Sequence, residues 1–211
     1  MLRMVNGEAV ALISDAGTPL VSDPGFRLVR AAQSKDIPVI PLPGPCAAIT
    51  ALSGAGLPTD RFFFEGFLPA KSHPRRKRLE SLRHQTGTLI FYEAPHRIRA
   101  TLADALEIMG PEREAVLARE LSKTFETLKR ASLSALLAWV DADANQQRGE
   151  QVLLIGPAQD QQETELLERD RKLLFRLGEE LPPRKAASIV SDLTGIKARV
   201  LYEQLINREK K

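Results

Sequence analysis

The chain has 211 residues, 43% of them apolar and 27% charged, with a formal net charge of +3 and a pI near 9.1. That supports a hydrophobic core in one large domain or two small ones, and it permits a polyanionic partner without demanding one. No apolar run approaches the ~20 residues of a bilayer span, the opening Met1-Leu2-Arg3-Met4-Val5-Asn6-Gly7 lacks an apolar signal region, and a single cysteine excludes an internal disulfide and suits a reducing cytoplasm.

Taken in chain order, Ala9 to Ile13 reads as a first strand, Pro24 to Ser34 as a helix with proline in its first turn, Ile37 to Leu42 as a second strand and Pro45 to Ala55 as a small-residue helix closed by Gly54 and Gly56. Strand–helix–strand–helix predicts a parallel sheet. Gly56-Leu57-Pro58-Thr59-Asp60 marks a boundary, after which a second α/β unit begins. Its expected elements are an aromatic strand over Arg61 to Phe67, a basic helix opened by Ser72 and Pro74, and an apolar strand over Thr88 to Tyr92. A helix over Pro95 to Met109, a strand over Ala115 to Ala118, a helix over Leu133 to Val140 and a strand over Gln151 to Ile155 complete it. Past Gly156, Gln159 to Glu165 reads as a polar linker. Helices are expected at roughly 165–180, 183–194 and 197–208, punctuated by Pro182-Pro183 and Gly195. Ala186, Ile189, Val190 and Leu193 form an apolar stripe, and Lys185 to Ile196 suits either a helix-turn-helix or a plain helical hairpin. The expected organisation is therefore an incomplete amino-terminal α/β domain over 1–57, a second α/β domain over 58–157 and a helical module over 164–211.

Two Gly/Pro-rich loops follow the first two expected strands: Ser14-Asp15-Ala16-Gly17-Thr18-Pro19 with Asp23-Pro24-Gly25, and Pro41-Leu42-Pro43-Gly44-Pro45-Cys46-Ala47-Ala48. Ligands of open α/β sheets bind at the carboxyl ends of strands. Neither loop carries a lysine or a GxGxxG pattern, so both suit a small, flat, polar molecule held against bare backbone better than a pyrophosphate.

With Gly66-Phe67-Leu68-Pro69, Phe91-Tyr92-Glu93-Ala94-Pro95-His96-Arg97 and Ala118-Arg119-Glu120-Leu121-Ser122-Lys123, these loops make six motifs in order along nearly the whole chain. Together they resemble the tetrapyrrole-methylase-like superfamily. Within it they resemble the ribosomal small subunit methyltransferase I family, the 16S rRNA (cytidine-2′-O)-methyltransferases. The resemblance implies two α/β domains with S-adenosylmethionine in the cleft between them, a homodimer and a substrate in 16S rRNA or the small ribosomal subunit. The family pattern opens with a further strand, a Pro-Thr-Pro-Ile-Gly-Asn-Leu type loop and a Glu-Asp-Thr-Arg type motif. Neither occurs here, so the chain reads as amino-terminally truncated relative to the family.

The resemblance places the cofactor at Asp15, Gly17 and Thr18 and at Cys46 and Ala47, where free amides at a helix start also suit a carboxylate or carbonyl oxygen. The bland alternatives are an Asx-type turn for the first loop and a small buried hydrophobe for Cys46. Phe91 and Tyr92 either line an adenine pocket or pack in the core. Methyl transfer from a sulfonium is an orientation problem that needs no metal, and no His/Cys metal spacing is present. A ribose hydroxyl benefits from a base. Glu93, His96 and Lys123 are candidates, Lys123 only with a strongly lowered pKa. Arg97 and Arg119 suit phosphates, against a structural pairing of Arg119 with Glu120. The densest positive run includes Arg75, Arg76, Lys77 and Arg78, and it suits either an RNA backbone or a solvated helix face. Two rivals stay open: a methylase of tetrapyrroles or other small molecules, and a non-catalytic RNA-binding fragment.

Overall fold

The computed structural model describes residues 1–158 and 168–209, and the chain divides into two compact units, Met1–Ala158 and Gln159–Lys211. The first unit is organised by five strands: β1 (Phe62–Phe67), β2 (Thr88–Glu93), β3 (Glu114–Arg119), β4 (Thr127–Ser132) and β5 (Gln151–Ile155), in the spatial order β1-β2-β5-β3-β4. β5 lies at the centre and is buried at every position, as its run Gln-Val-Leu-Leu-Ile requires of a strand covered on both faces.

Side chains alternate across this sheet. Leu89, Phe91, Leu117, Leu153 and Ile155 point to one face. There they meet Leu79 and Leu82 of α4 (Ser72–Leu82), Ile98 and Leu102 of α5 (Ile98–Met109), and Leu133 and Leu136 of α6 (Leu133–Ala142). Ser132 caps α6 by accepting the Ala135 amide. Ile90, Val116, Ala118, Val152 and Leu154 point to the other face and meet α3 (Ala47–Ala55) through Ala48, Ala51, Leu52 and Ala55. The small residues of α3 let its backbone approach the strands closely, and Gly56, at φ +65°, ends it in the left-handed conformation.

The sheet departs from the expected elements. Ala9 to Ile13 and Ile37 to Leu42 form no strand. Neither run has a ladder partner, and Ile13, Ile40 and Leu42 are at least 80% exposed; extended backbone becomes a strand only when a neighbour takes its hydrogen bonds. The sheet is mixed, not parallel. Only β1 and β2 run parallel, while β2/β5, β3/β5 and β3/β4 are antiparallel. β4 escapes sequence reading because Thr-Leu-Lys-Arg-Ala-Ser carries no apolar alternation; it is a polar edge strand. The amino-terminal segment keeps α1 (Leu2–Val5) and α2 (Phe26–Gln33) as its helices.

The second unit packs α7 (Glu168–Glu180), α8 (Pro183–Thr194) and α9 (Ala198–Glu209) around Leu174, Ala186, Val190, Ile196, Leu201 and Leu205. Gly195, at φ +74°, closes α8 and opens a short turn into α9, the connection expected of a helix-turn-helix. Leu193 departs from the expected stripe and is 69% exposed. The linker read over Gln159 to Glu165 lies outside the described residues.

Candidate active site

The loop after Ile13 is shaped by its own side chains. The Ser14 hydroxyl donates to the Ala16 carbonyl at 2.9 Å, and Gly17 turns the chain at φ +79°, which glycine alone adopts freely. The Thr18 hydroxyl donates to the Pro45 carbonyl at 2.8 Å, tying this loop to the start of α3. Cys46, the N-cap of α3, offers no side-chain cap. Tyr92 serves instead: its phenol oxygen accepts the Ala48 amide at 3.3 Å and lies 4.0 Å from the Cys46 sulfur. Burial is the main cause raising the Tyr92 pKa above 10.0.

A second wall follows β3. Glu120 (φ 49°) and Ser122 (φ 62°) both adopt left-handed backbone, a conformation that persists in such residues only when the surroundings hold it. The Glu120 amide donates to the Glu150 carbonyl at 2.9 Å, the Glu150 amide donates to Glu120 Oε1 at 2.7 Å, and Lys123 Nζ bridges Glu120 Oε1 at 3.1 Å and Glu150 Oε2 at 2.7 Å. The Glu150 amide, then Lys123, lowers the Glu120 pKa, and Glu150, then Glu120, raises that of Lys123.

Between these walls lies a cavity of about 750 Å³, within the usual range for small-molecule sites. It opens at the carboxyl ends of β1, β2 and β3 and the amino end of antiparallel β5, where ligands of α/β sheets bind. Gly17, Thr18, Cys46, Ala47, Tyr92, Glu93 and Lys123 all border it, so the structure gathers these sequence candidates into one place. Also bordering it are Asp23, Phe67, Glu120, Ser122 and Glu150, which sequence reading did not single out. Asp23, Phe67, Glu120 and Ser122 lie within the motifs quoted above. Nothing in the local sequence marked Glu150, because an antiparallel return of β5 brings it there.

Other candidates stand elsewhere. Asp15 is exposed and outside the cavity lining, while Asp23 of the same loop borders it. Phe91 is fully buried on the opposite face of the sheet from Tyr92 and packs in the core, as strand alternation demands. The Glu93 carboxylate is fully engaged and turned away from solvent. It accepts the Ala94 amide at 2.8 Å and the Thr101 hydroxyl at 2.6 Å, and it pairs with Arg97 Nε at 3.1 Å. Arg97 also donates to the Leu68 carbonyl at 2.6 Å. The Arg119 side chain donates to the Thr127 hydroxyl at 3.2 Å, and His96 is exposed on the short 3-10 turn Pro95–Arg97. None of Arg97, Arg119 and His96 borders the cavity. Lys123 is held as an ammonium, opposite to the lowered pKa a base requires.

The basic run is also partly spent on structure. Arg75 is 4% exposed and pairs with the buried Asp104 at 2.6 Å. Arg76 engages Glu107, and Arg78 engages Glu65 through Nε at 3.0 Å. Lys77 stays exposed with no ion pair among the described residues. Among the described residues there is also no cluster of His, Cys, Asp and Glu that could hold a metal, and no helix is long and apolar enough to cross a membrane.

Comparison with known proteins gives this geometry a family. Residues 3–137 match the model of the Tetrapyrrole (Corrin/Porphyrin) Methylases, and residues 164–209 match that of the RsmI C-terminal HTH domain. The chain is 54% identical over 210 residues to the ribosomal RNA small subunit methyltransferase I of Pseudomonas aeruginosa, spanning 99% of this chain and 74% of that protein. It is 47% identical over 209 residues to the Escherichia coli O157:H7 protein of the same name, spanning 99% and 73%. Among solved structures, the methyltransferase CobJ shares the fold, with a TM-score of 0.55 at 21% identity over 79% of this chain and 70% of that one. A tetrapyrrole-methylase sheet with a ligand-sized cavity at its strand ends, followed in sequence by the helical module of the rRNA enzymes, places this chain in the ribosomal RNA small subunit methyltransferase I family of the tetrapyrrole methylases.

Proposed function

We propose that the chain methylates the ribose 2′-oxygen of a cytidine in 16S rRNA with S-adenosylmethionine as donor, as a cytoplasmic homodimer acting on the RNA or the small ribosomal subunit. The identity of 54% with the Pseudomonas aeruginosa rRNA methyltransferase, along 99% of the chain, carries this reading. The cavity fits the donor chemically: its lining is mostly apolar, and Asp23, Glu120 and Glu150 border it, a carboxylate set suited to the positive charges of a sulfonium and an amino group.

The bound cofactor supplies a methyl group on a positively charged sulfur. The chain's own residues hold and orient. Gly17 and Thr18, fixed to Pro45, form one side of the site. The start of α3 at Cys46 and Ala47, locked by Tyr92, forms the floor. Lys123, kept protonated by Glu120 and Glu150, is a fixed hydrogen-bond donor at the second wall, where it orients the ribose oxygen. Methyl transfer would break the carbon–sulfur bond as the carbon–oxygen bond forms, and the hydroxyl proton would pass to solvent at the cavity mouth. Glu93 acts at a distance by holding the β2–α5 corner, and His96 stays at the surface.

Calorimetry with S-adenosylmethionine tests the pocket, and mass spectrometry of nuclease-digested 16S rRNA tests the product. One-to-one cofactor binding with a 2′-O-methylcytidine product is expected. Cofactor binding with transfer to a tetrapyrrole alone refutes the RNA reading, and RNA binding without any cofactor heat reduces the chain to an RNA-binding module.

A further inference from the structure

β1 contains an irregularity that changes what the cavity presents. Phe64 pairs with Ile90, but the next registered pair is Gly66 with Phe91, so one residue is extra on β1. Gly66 occupies the left-handed region at φ +64°, and a Cβ there would lie 3.2 Å from the Ser22 hydroxyl, so both conformation and space favour glycine. Without the extra residue, Phe64 and Phe67, three apart, would point to opposite faces. With it, both rings meet Tyr92 edge-on, at centroid distances of 5.0 and 5.7 Å. The bulge therefore carries Phe67 into the cavity lining, where the residue remains 56% exposed.

We propose that Phe67 is the platform on which an unpaired nucleobase of the RNA substrate stacks, which rests on the methyltransferase reading above and extends it. The placement distinguishes this role from adenine binding. A cofactor held in an enclosed pocket buries most of its surface, whereas Phe67 lies on an edge strand and is more than half exposed. An accessible ring at the rim suits a group that arrives from solvent and leaves at each turnover. Four residues separate the end of β1 from the start of α4, and Lys71, in that connection, is exposed. An exposed ring at the end of a strand, followed in sequence by an exposed cation, suits single-stranded nucleic acid, where cations track phosphates and the ring takes a base of any sequence.

The test is fluorescence anisotropy of wild-type, Phe67→Leu and Phe67→Trp proteins. The ligands are a single-stranded cytidine-containing RNA and a series of the same RNA with one base removed at successive positions. S-adenosylmethionine affinity is measured in parallel. Wild type is expected to lose about tenfold in affinity at one abasic position. Phe67→Leu should bind the intact RNA about tenfold more weakly and no longer distinguish that abasic RNA. Phe67→Trp should restore the discrimination, with cofactor affinity within about twofold throughout. Equal discrimination by wild type and Phe67→Leu overturns the assignment while leaving the methyltransferase reading in place, as does a loss confined to cofactor binding. A wild-type protein that shows no salt-dependent RNA affinity overturns both.

Discussion

The Tyr92 phenol oxygen accepts the Ala48 amide at 3.3 Å, so a residue on β2 caps the helix whose own N-cap, Cys46, makes no side-chain bond. This one contact fixes the floor of the cavity to the sheet. Tyr92→Phe should leave that amide without its partner and cost about 1 kcal/mol, seen as a fall of about 2–4 °C in Tm. Because burial raises the Tyr92 pKa above 10.0, stability should decline as pH climbs past that value. Absorbance titration of the phenols should lose its higher step in Tyr92→Phe.

Gly149 lies against Glu120: a Cβ on Gly149, at φ +78°, would come within 2.5 Å of the Glu120 Cδ. Gly149→Ala should cost about 1 kcal/mol through backbone strain and swing the Glu120 carboxylate aside, releasing Lys123. We expect a small loss of Tm and a much larger loss of methyl transfer, measured side by side.

The Glu120–Lys123–Glu150 cluster also has a pH signature. The Glu120 pKa is lowered from 4.5, so its contribution is complete above 4.5 and disappears as pH falls through the lower folded value. The Lys123 pKa is raised from 10.5, so its contribution is complete below 10.5 and disappears as pH rises through the higher one. Chemistry that relies on Lys123 as an ammonium should therefore show a kcat without a lysine titration between about pH 6 and 9. A base-like rise of kcat in that window, abolished by Lys123→Met, would contradict it.

Glu93 is a structural carboxylate. Glu93→Ala removes the acceptor of Thr101, Ala94 and Arg97 at once and leaves Arg97 without its counter-ion. A loss of about 3–5 kcal/mol is expected, visible as a lowered denaturation midpoint rather than as a folded protein with impaired kcat.

Arg75 and Lys77 are two residues apart and should respond oppositely. Arg75→Ala removes the shortest ion-pair partner of the buried Asp104, leaving it Ser72 and a longer contact with Arg76, and should destabilise by about 3 kcal/mol. The double change Lys71→Ala, Lys77→Ala should keep Tm within about 1 °C of wild type. It should also reduce the salt slope of single-stranded RNA binding by about 1.4.

Strongly apolar local segments were legible without coordinates. β5 appears at its full extent, Gln151–Ile155, β2 nearly so, and Gly195 ends α8 where a helix-closing glycine belongs. In these segments the local pattern and the burial agree, so propensity and packing point the same way. The order of six loop motifs also sufficed to place the chain among the methyltransferases, because those loops carry turn chemistry written in adjacent residues.

What tertiary structure alone decided depends on partners distant in sequence. Ala9 to Ile13 and Ile37 to Leu42 look like strands but pair with nothing, while polar Thr127–Ser132 becomes one because β3 offers its edge. Adjacent Phe91 and Tyr92 divide between core and cavity by the parity of β2. Arg75 turns from a surface charge into a buried ion pair because α5 brings Asp104 against it. A strand's face and a charge's partner are non-local properties: they exist only once the sheet has chosen its neighbours and excluded water from one side of each residue.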